Sequence, residues 1–253
     1  MKYKRFLIFI LVIILLSLFS VYYPKLTGKS IFNNQYQRES AFVISAVDGD
    51  TLDVEIGEAE TIQRIRLLGI NTPEKGVYYY SEAKNFLKGF NGSKVELERT
   101  VENTDQYDRL LRYVFANGVF LNKEILRKGY AHFYSYNDDK YTDELLKAEK
   151  IARDSGIGIW KRSEEECGSC IVLKKINNID PGEFVLLENI CAFDCDLNDW
   201  TIKDDARHVK TLDFVLNKQS EKRIDYAGSI WNDAHDSLYL RDKNGLLVLF
   251  YRY

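Results

Sequence analysis

The run from Phe6 to Tyr23 constrains this chain more than any other feature. Its eighteen residues include only Ser17 and Ser20 as clearly polar side chains; Lys2, Lys4 and Arg5 precede it, and Pro24 and Lys25 end it. A helix of that length, rising about 1.5 Å per residue, nearly crosses a hydrocarbon core ~30 Å thick. A helix buried in a soluble domain has no need of so many consecutive Leu, Ile and Phe residues. The run is longer than the usual signal-peptide core and no small-x-small cleavage pattern follows, so it reads as an uncleaved single-pass anchor, with a cleaved signal peptide as the alternative. The N-terminal cations favour a cytoplasmic tip and hence extracellular C-terminal domains. Lys25 and Lys29 weaken that orientation without reversing it. Residues 1–24 are thus expected to form the tip and membrane anchor, and residues 25–38 a polar linker.

Beyond this run, the chain is ordinary globular material. Hydrophobic residues make up 45% and charged residues 29% of its 253 positions, which excludes wholesale disorder and a polytopic membrane protein. With the first 29 residues set aside, 30 basic residues face 38 acidic ones. A generally basic coat for nucleic acid is therefore excluded. Any attraction for a polyanion must come from a few local cations or a bound metal.

Residues 39–162 alternate strand and helix patterns. Ala41–Val47, Thr51–Ile56, Ile62–Ile70, Lys94–Arg99 and Leu110–Ala116 read as strands, and Asn117-Gly118 as a hairpin turn. Ser81–Phe90, Leu121–Lys128 and Thr142–Ser155 read as helices, the last with Thr142 as its N-cap. Five strands with interspersed helices predict a small Greek-key barrel, an α+β arrangement.

Three motifs in this block could carry chemistry. Asp48-Gly49-Asp50-Thr51 puts two carboxylates on a tight turn, a donor type suited to a hard cation, although Asp-Gly is also a common hairpin turn. Arg66 sits in an apolar strand, where a cation is costly unless a partner or ligand faces it; Asn71-Thr72-Pro73-Glu74 leaves that strand in a turn. In Asp105-Gln106-Tyr107-Asp108-Arg109, the guanidinium could clamp a phosphate bidentately or simply be solvated. Together with Ala148…Gly156-Ile-Gly-Ile-Trp160, these motifs resemble the staphylococcal nuclease (thermonuclease) family over about 120 residues.

That resemblance implies an OB-fold barrel hydrolysing phosphodiesters of DNA and RNA with Ca²⁺. It implies Asp50 as the main carboxylate ligand, Thr72 as a carbonyl ligand, and Asp48 as a supporting acid beside them. Glu74 would be the general base acting on water, Arg66 and Arg109 the phosphate clamp, and Tyr107 a neighbour of the substrate phosphate. Asn71 stands where the family usually has a second aspartate ligand. It keeps a carbonyl oxygen but loses a charge, so calcium binding is expected to be weaker, which extracellular sites working near ~10⁻⁴–10⁻³ M tolerate. Tyr130, Phe133, Tyr134, Tyr136 and Tyr141 follow the last strand; rings there can stack bases of a single strand or simply fill the core. His132, alone in an apolar stretch, reads as structural.

Residues 163–170 form a Cys-containing linker to a second block, 171–253, of short apolar runs separated by turns, the pattern of an all-β sandwich. Cys167, Cys170, Cys191 and Cys195 suit either a zinc site or two disulfides; an exported domain favours disulfides, with three pairings open. Gly182–Asn189, Cys195–Asp204 and Ser237–Val248 resemble the lamin-tail domain, an immunoglobulin-like sandwich, which implies a tethering or recruiting module with a surface ligand of its own. The functional expectation is a membrane-anchored Ca²⁺-dependent nuclease acting on single-stranded or locally melted DNA or RNA. The alternatives are a non-catalytic nucleic-acid-binding surface protein and a surface protein whose barrel is vestigial.

Overall fold

The computed structural model describes residues 38–57, 61–134, 139–179, 182–206, 208–228, 230–231 and 236–253. The expected anchor and linker up to residue 37, and Tyr136, lie outside the described residues. Among those described, no helix is long and apolar enough to cross a membrane.

The first block is an OB-fold-like five-strand barrel. Strands β1 (Arg38–Ala46), β2 (Thr51–Ile56), β3 (Thr61–Leu67), β5 (Lys94–Thr104) and β6 (Leu110–Ala116) form it, and parallel pairing of β3 with β6 closes it. Alternation places Ala41, Val43, Leu52, Val54, Ile65 and Leu67 inside, while Ile62 and Arg64 face outward. The third strand ends at Leu67 rather than Ile70, because a turn at Leu68-Gly69 intervenes; Ile70–Asn71 then forms a separate two-residue strand, β4, pairing with β8 (His132–Phe133). β5 runs five residues beyond the expected Arg99. Its end projects into solvent, with Val101 75% exposed, so no core-facing alternation marked it. Asn117 and Gly118, both with positive φ, make the turn from β6 into β7 (Val119–Phe120).

Among the described residues, three α-helices flank the barrel: α1 (Tyr80–Lys88), α2 (Leu121–Arg127) and α3 (Thr142–Asp154). Ala83 and Leu87 seat α1, and Leu145 and Ala148 seat α3. Thr142 is not the N-cap of α3. Tyr141 occupies that place, and the Thr142 hydroxyl instead accepts from the Asp139 amide in the preceding turn.

The second block is strand-rich. β9 (Ile171–Asn177), β10 (Phe184–Asn189) and β15 (Glu221–Asp225) make one sheet, in the order β15-β10-β9. β12 (Thr201–Lys203), β13 (Val209–Thr211), β16 (Ser237–Arg241) and β17 (Leu247–Arg252) make another, in the order β13-β12-β16-β17. β11 (Cys195–Asp196) pairs with β14 (Val215–Leu216). Buried Trp200 and Trp231 anchor its core. The cysteines form two disulfides, Cys167–Cys195 and Cys170–Cys191, which tie residues 166–170 onto this block.

The two blocks share a third apolar cluster. Ala152, Ile159 and Trp160 from the first meet Tyr239 and Leu247 from the second. Beside it, Glu149 of α3 is fully buried and accepts from both terminal nitrogens of Arg252, at 2.6 and 3.1 Å, and from the Phe133 amide at 2.8 Å. A buried carboxylate needs such partners, since desolvation without them is prohibitive.

Candidate active site

The site grows from the turn that follows β1. Asp48 accepts the Asp50 amide at 3.1 Å, an Asx-type bond that tightens the turn. Gly49 between them is required by space: a Cβ there would lie 2.7 Å from the Ala83 Cβ and 2.8 Å from the Thr72 hydroxyl oxygen. Helix α1 and the Thr72 turn thus close directly onto the two acids. Asp50 is 6% exposed, and its Oδ2 accepts from the Thr72 amide at 3.0 Å and the Thr72 hydroxyl at 2.9 Å. The Thr51 hydroxyl donates to its Oδ1 at 3.1 Å. Burial, followed by the negative charge of Asp50, pushes the Asp48 carboxyl above its usual range.

Both sequence-predicted arginines converge here. Thr51 and Arg66 are cross-strand neighbours on β2 and β3. The Arg66 guanidinium lies 3.3 Å from Asp50 Oδ2 and donates to the Leu67 carbonyl at 2.8 Å. Arg109, just before β6, approaches the Thr51 hydroxyl at 3.5 Å. Two residues inside the quoted motifs had no role assigned from sequence. Thr51 bridges Asp50 to Arg109. Asp105 fixes Arg109, accepting its Nε at 2.7 Å and its amide at 3.1 Å. Burial raises the Asp105 carboxyl, but the bonds from Arg109 and from the Tyr107 amide outweigh it and hold the carboxyl below its usual range. The i,i+4 spacing of Asp105 and Arg109 was the available signal, although it is ordinarily a helix rule and here belongs to a tight turn.

The remaining candidates lie around this centre. Tyr107 is 59% exposed, with the Arg109 guanidinium 5.4 Å from its ring centroid. Glu74 lies on the exposed side of the turn two residues after Thr72, where its carbonyl accepts the Val77 amide. Asn71 points its amide nitrogen toward the second block: it donates to the Asp205 carbonyl at 3.0 Å and reaches the Ala206 carbonyl at 3.4 Å. Both partners can only accept, so the nitrogen must be the atom facing them. His132 is buried between Trp160 and Tyr239, and burial, with the charges of Arg241, Lys203 and Arg252, lowers its pKa well below the ordinary value. Tyr130, Phe133 and Tyr141 pack against the barrel core.

The oxygens of Asp48, Asp50 and Thr72, with the Asn71 carboxamide oxygen, are hard donors of the type that suits Ca²⁺. Among the described residues no group of three or more His, Cys, Asp or Glu side chains is placed to hold a metal, so an ion here would depend on carbonyl and hydroxyl oxygens as well as acids.

A staphylococcal nuclease homologue family model matches residues 64–162. The chain is 34% identical over 133 residues to a thermonuclease of Staphylococcus intermedius, covering 49% of this chain and 77% of that protein. It is 31% identical over 144 residues to a thermonuclease of Staphylococcus hyicus, covering 54% and 82%. The chain belongs to the staphylococcal nuclease homologue family. A probable staphylococcal-like nuclease of Oryza sativa subsp. japonica is 36% identical over 104 residues, spanning 30% of its own length. Membership implies nuclease activity, a hydrolase chemistry, and binding of nucleic acid. The family match ends at residue 162, so the lamin-tail resemblance of the second block rests on its sequence.

Proposed function

We propose that this chain is a membrane-anchored, outward-facing nuclease that hydrolyses phosphodiesters of single-stranded or locally melted DNA or RNA, with Ca²⁺ and little sequence preference. The observation that carries the reading is the convergence of Arg66 and Arg109 on the Asp50-Thr51 pair. A phosphodiester resists water because it is anionic, and two fixed guanidinium groups can neutralise the charge that grows on phosphorus during attack. Arg109 is oriented by Asp105 and Arg66 by Asp50 and the Leu67 carbonyl, so both are positioned before substrate arrives. Glu74, exposed beside Thr72, would accept a proton from the attacking water. Asp50, Thr72 and Asn71 would hold the calcium ion, with Asp48 as a supporting acid beside them; the ion supplies polarisation of the phosphoryl oxygen when bound. Chemistry aimed at the backbone needs no contact with base edges. The acidic balance of the chain does not oppose this, since the attraction is local.

Glu74→Ala and Arg109→Ala are each expected to lower EDTA-sensitive cleavage of single-stranded DNA by ~10²–10³ while the far-ultraviolet spectrum and melting curve stay native. Cleavage at the wild-type rate in either variant overturns the site assignment. The charge missing at Asn71 favours one second reading, a barrel that binds without cutting. Substrate shifted in a gel yet intact at millimolar Ca²⁺ would establish that reading instead.

A further inference from the structure

The segment Asn71–Tyr78, which carries Thr72, Pro73 and Glu74, touches the second block at both ends. At its start, the Asn71 amide donates to the Asp205 carbonyl. That carbonyl belongs to a fixed loop. The Asp205 carboxylate accepts from Tyr239 at 2.6 Å and Ser237 at 2.9 Å, its amide donates to Asp236 at 3.0 Å, and the Lys203 ammonium bonds the Asp204 and Ala206 carbonyls. The ladder partner of Asn71 is His132, whose ring centroid lies 4.1 Å from that of the same Tyr239. At the other end, Tyr78 lies against the β16–β17 hairpin. A Cβ on Gly245 would sit 2.5 Å from the Tyr78 Cβ, so only glycine, here with φ +81°, admits the tyrosine so closely. Between these two anchorages, one face of the segment meets Asp50 through Thr72.

We propose that the second block is part of the active-site structure, with Asn71 as the positioning residue through which it holds the Thr72–Glu74 turn. An aspartate at position 71 could offer a cation more charge but has no proton to give the Asp205 carbonyl. An asparagine gives its nitrogen to the second block and keeps its oxygen as an acceptor. The amide at this position is therefore the chemistry that lets one side chain serve both sides, and the second block acts as a brace rather than a remote recruiting module. The rate arm of the test rests on the nuclease reading; the exchange arm does not.

The experiment compares the full chain with Asn71→Asp, Asn71→Ala and Tyr78→Ala in buffer without divalent ions, by amide hydrogen exchange. The Thr72 amide, bonded to Asp50, and the Val77 amide, bonded to the Glu74 carbonyl, report the segment. Their protection factors are expected to fall by about tenfold in all three variants, as local opening becomes easier, with the barrel-strand amides unchanged. Asn71→Asp discriminates most sharply, because it keeps the size of the side chain while turning a donor into a charge facing two carbonyls. At saturating Ca²⁺, kcat for single-stranded DNA is expected to fall by about tenfold with KM within about twofold, the signature of a misplaced turn rather than lost binding. Wild-type protection in Asn71→Asp overturns the brace. Lowered protection with unchanged kcat overturns the positioning role. Should the wild-type chain cut nothing, the nuclease reading fails on its own, and the exchange data still decide whether the second block holds this segment.

Discussion

The two ends of strand β1 each bury a carboxylate, and they treat it differently. At its start, Arg38 faces Glu98 across the sheet. Glu98 is 2% exposed and is surrounded by cations: Arg38 Nε at 3.1 Å and the Lys140 ammonium at 2.5 Å, with the Tyr141 hydroxyl donating at 3.0 Å. Just past the other end, Asp50 is nearly as buried, but three of its four hydrogen-bond or ion-pair donors among the described residues are neutral: the Thr72 amide, the Thr72 hydroxyl and the Thr51 hydroxyl, with Arg66 the one cation. Two cations neutralise Glu98 within the protein, so it has little field left to offer a ligand. Neutral donors orient Asp50 while leaving much of its charge uncompensated, and Arg109 stops one hydroxyl short of it. A buried acid held mainly by dipoles is a better candidate for chemistry than one held by salt bridges, even at equal depth.

Exchanging each acid for its amide tests that contrast most directly. Asp50→Asn keeps an acceptor for Thr72, so the melting temperature should move by only a few degrees, while nucleic-acid cleavage should fall by ~10²–10³. Glu98→Gln should do the reverse. It leaves Arg38 and Lys140 facing a neutral amide, and because those side chains are 40% and 36% exposed and can rehydrate, the cost is about 1–3 kcal/mol rather than the full penalty of stranded buried charge. Its cleavage rate should stay within about threefold of wild type. Denaturant titration and initial rates on the same two proteins read both effects. Equal loss of rate in the two variants would erase the distinction between the ends.

The Glu98 end and the Asp50 end also differ in how far sequence exposed them. Asp50, Arg66 and Arg109 lie in compact motifs whose residue types are odd for their local pattern: acids flanking a glycine, a cation in an apolar strand. The barrel strands were legible for the same local reason, since Leu52/Val54 and Ile65/Leu67 alternate with outward residues. Glu98 was silent, because a glutamate alternating with the inward Val95 and Leu97 resembles any outward residue until Lys140 closes on it from 42 residues away. The contacts of Asn71 with Asp205 and of Tyr78 with the hairpin at Gly245 span still longer separations, and no periodicity encodes them. In the second block β9 and β15 are not marked by apolar runs, because Lys174, Lys175 and the run Glu221–Arg223 interrupt them. Thr142 misled through a local rule, its hydroxyl being drawn to Asp139 by the turn before the helix.

Asp205 extends the comparison with a third acid and a smaller effect. Like Asp50 it is held by hydroxyls, those of Tyr239 and Ser237, but it sits where the two blocks meet, and among the described residues no cation pairs with its carboxylate. Burial, only partly offset by the Tyr239 bond and the charge of Arg252, pushes its pKa from 3.8 up to about 6. The folded state therefore holds a proton between those two values that the unfolded chain has released. Stability from this group is greatest below the unfolded value, declines as pH rises toward 6, and stays lower above it, by up to about 3 kcal/mol. His132 pulls the other way: burial keeps it neutral when folded, so its contribution is lost as pH falls below the ordinary 6.5. Urea titrations of wild type and Asp205→Asn at pH 4.5 and 7.5 cancel the histidine by subtraction. The wild type should gain on the variant as pH drops, and a difference that is flat with pH, or of the opposite sign, would mean that Asp205 stays ionised at the junction and is compensated there as fully as Glu98 is at its end of the barrel.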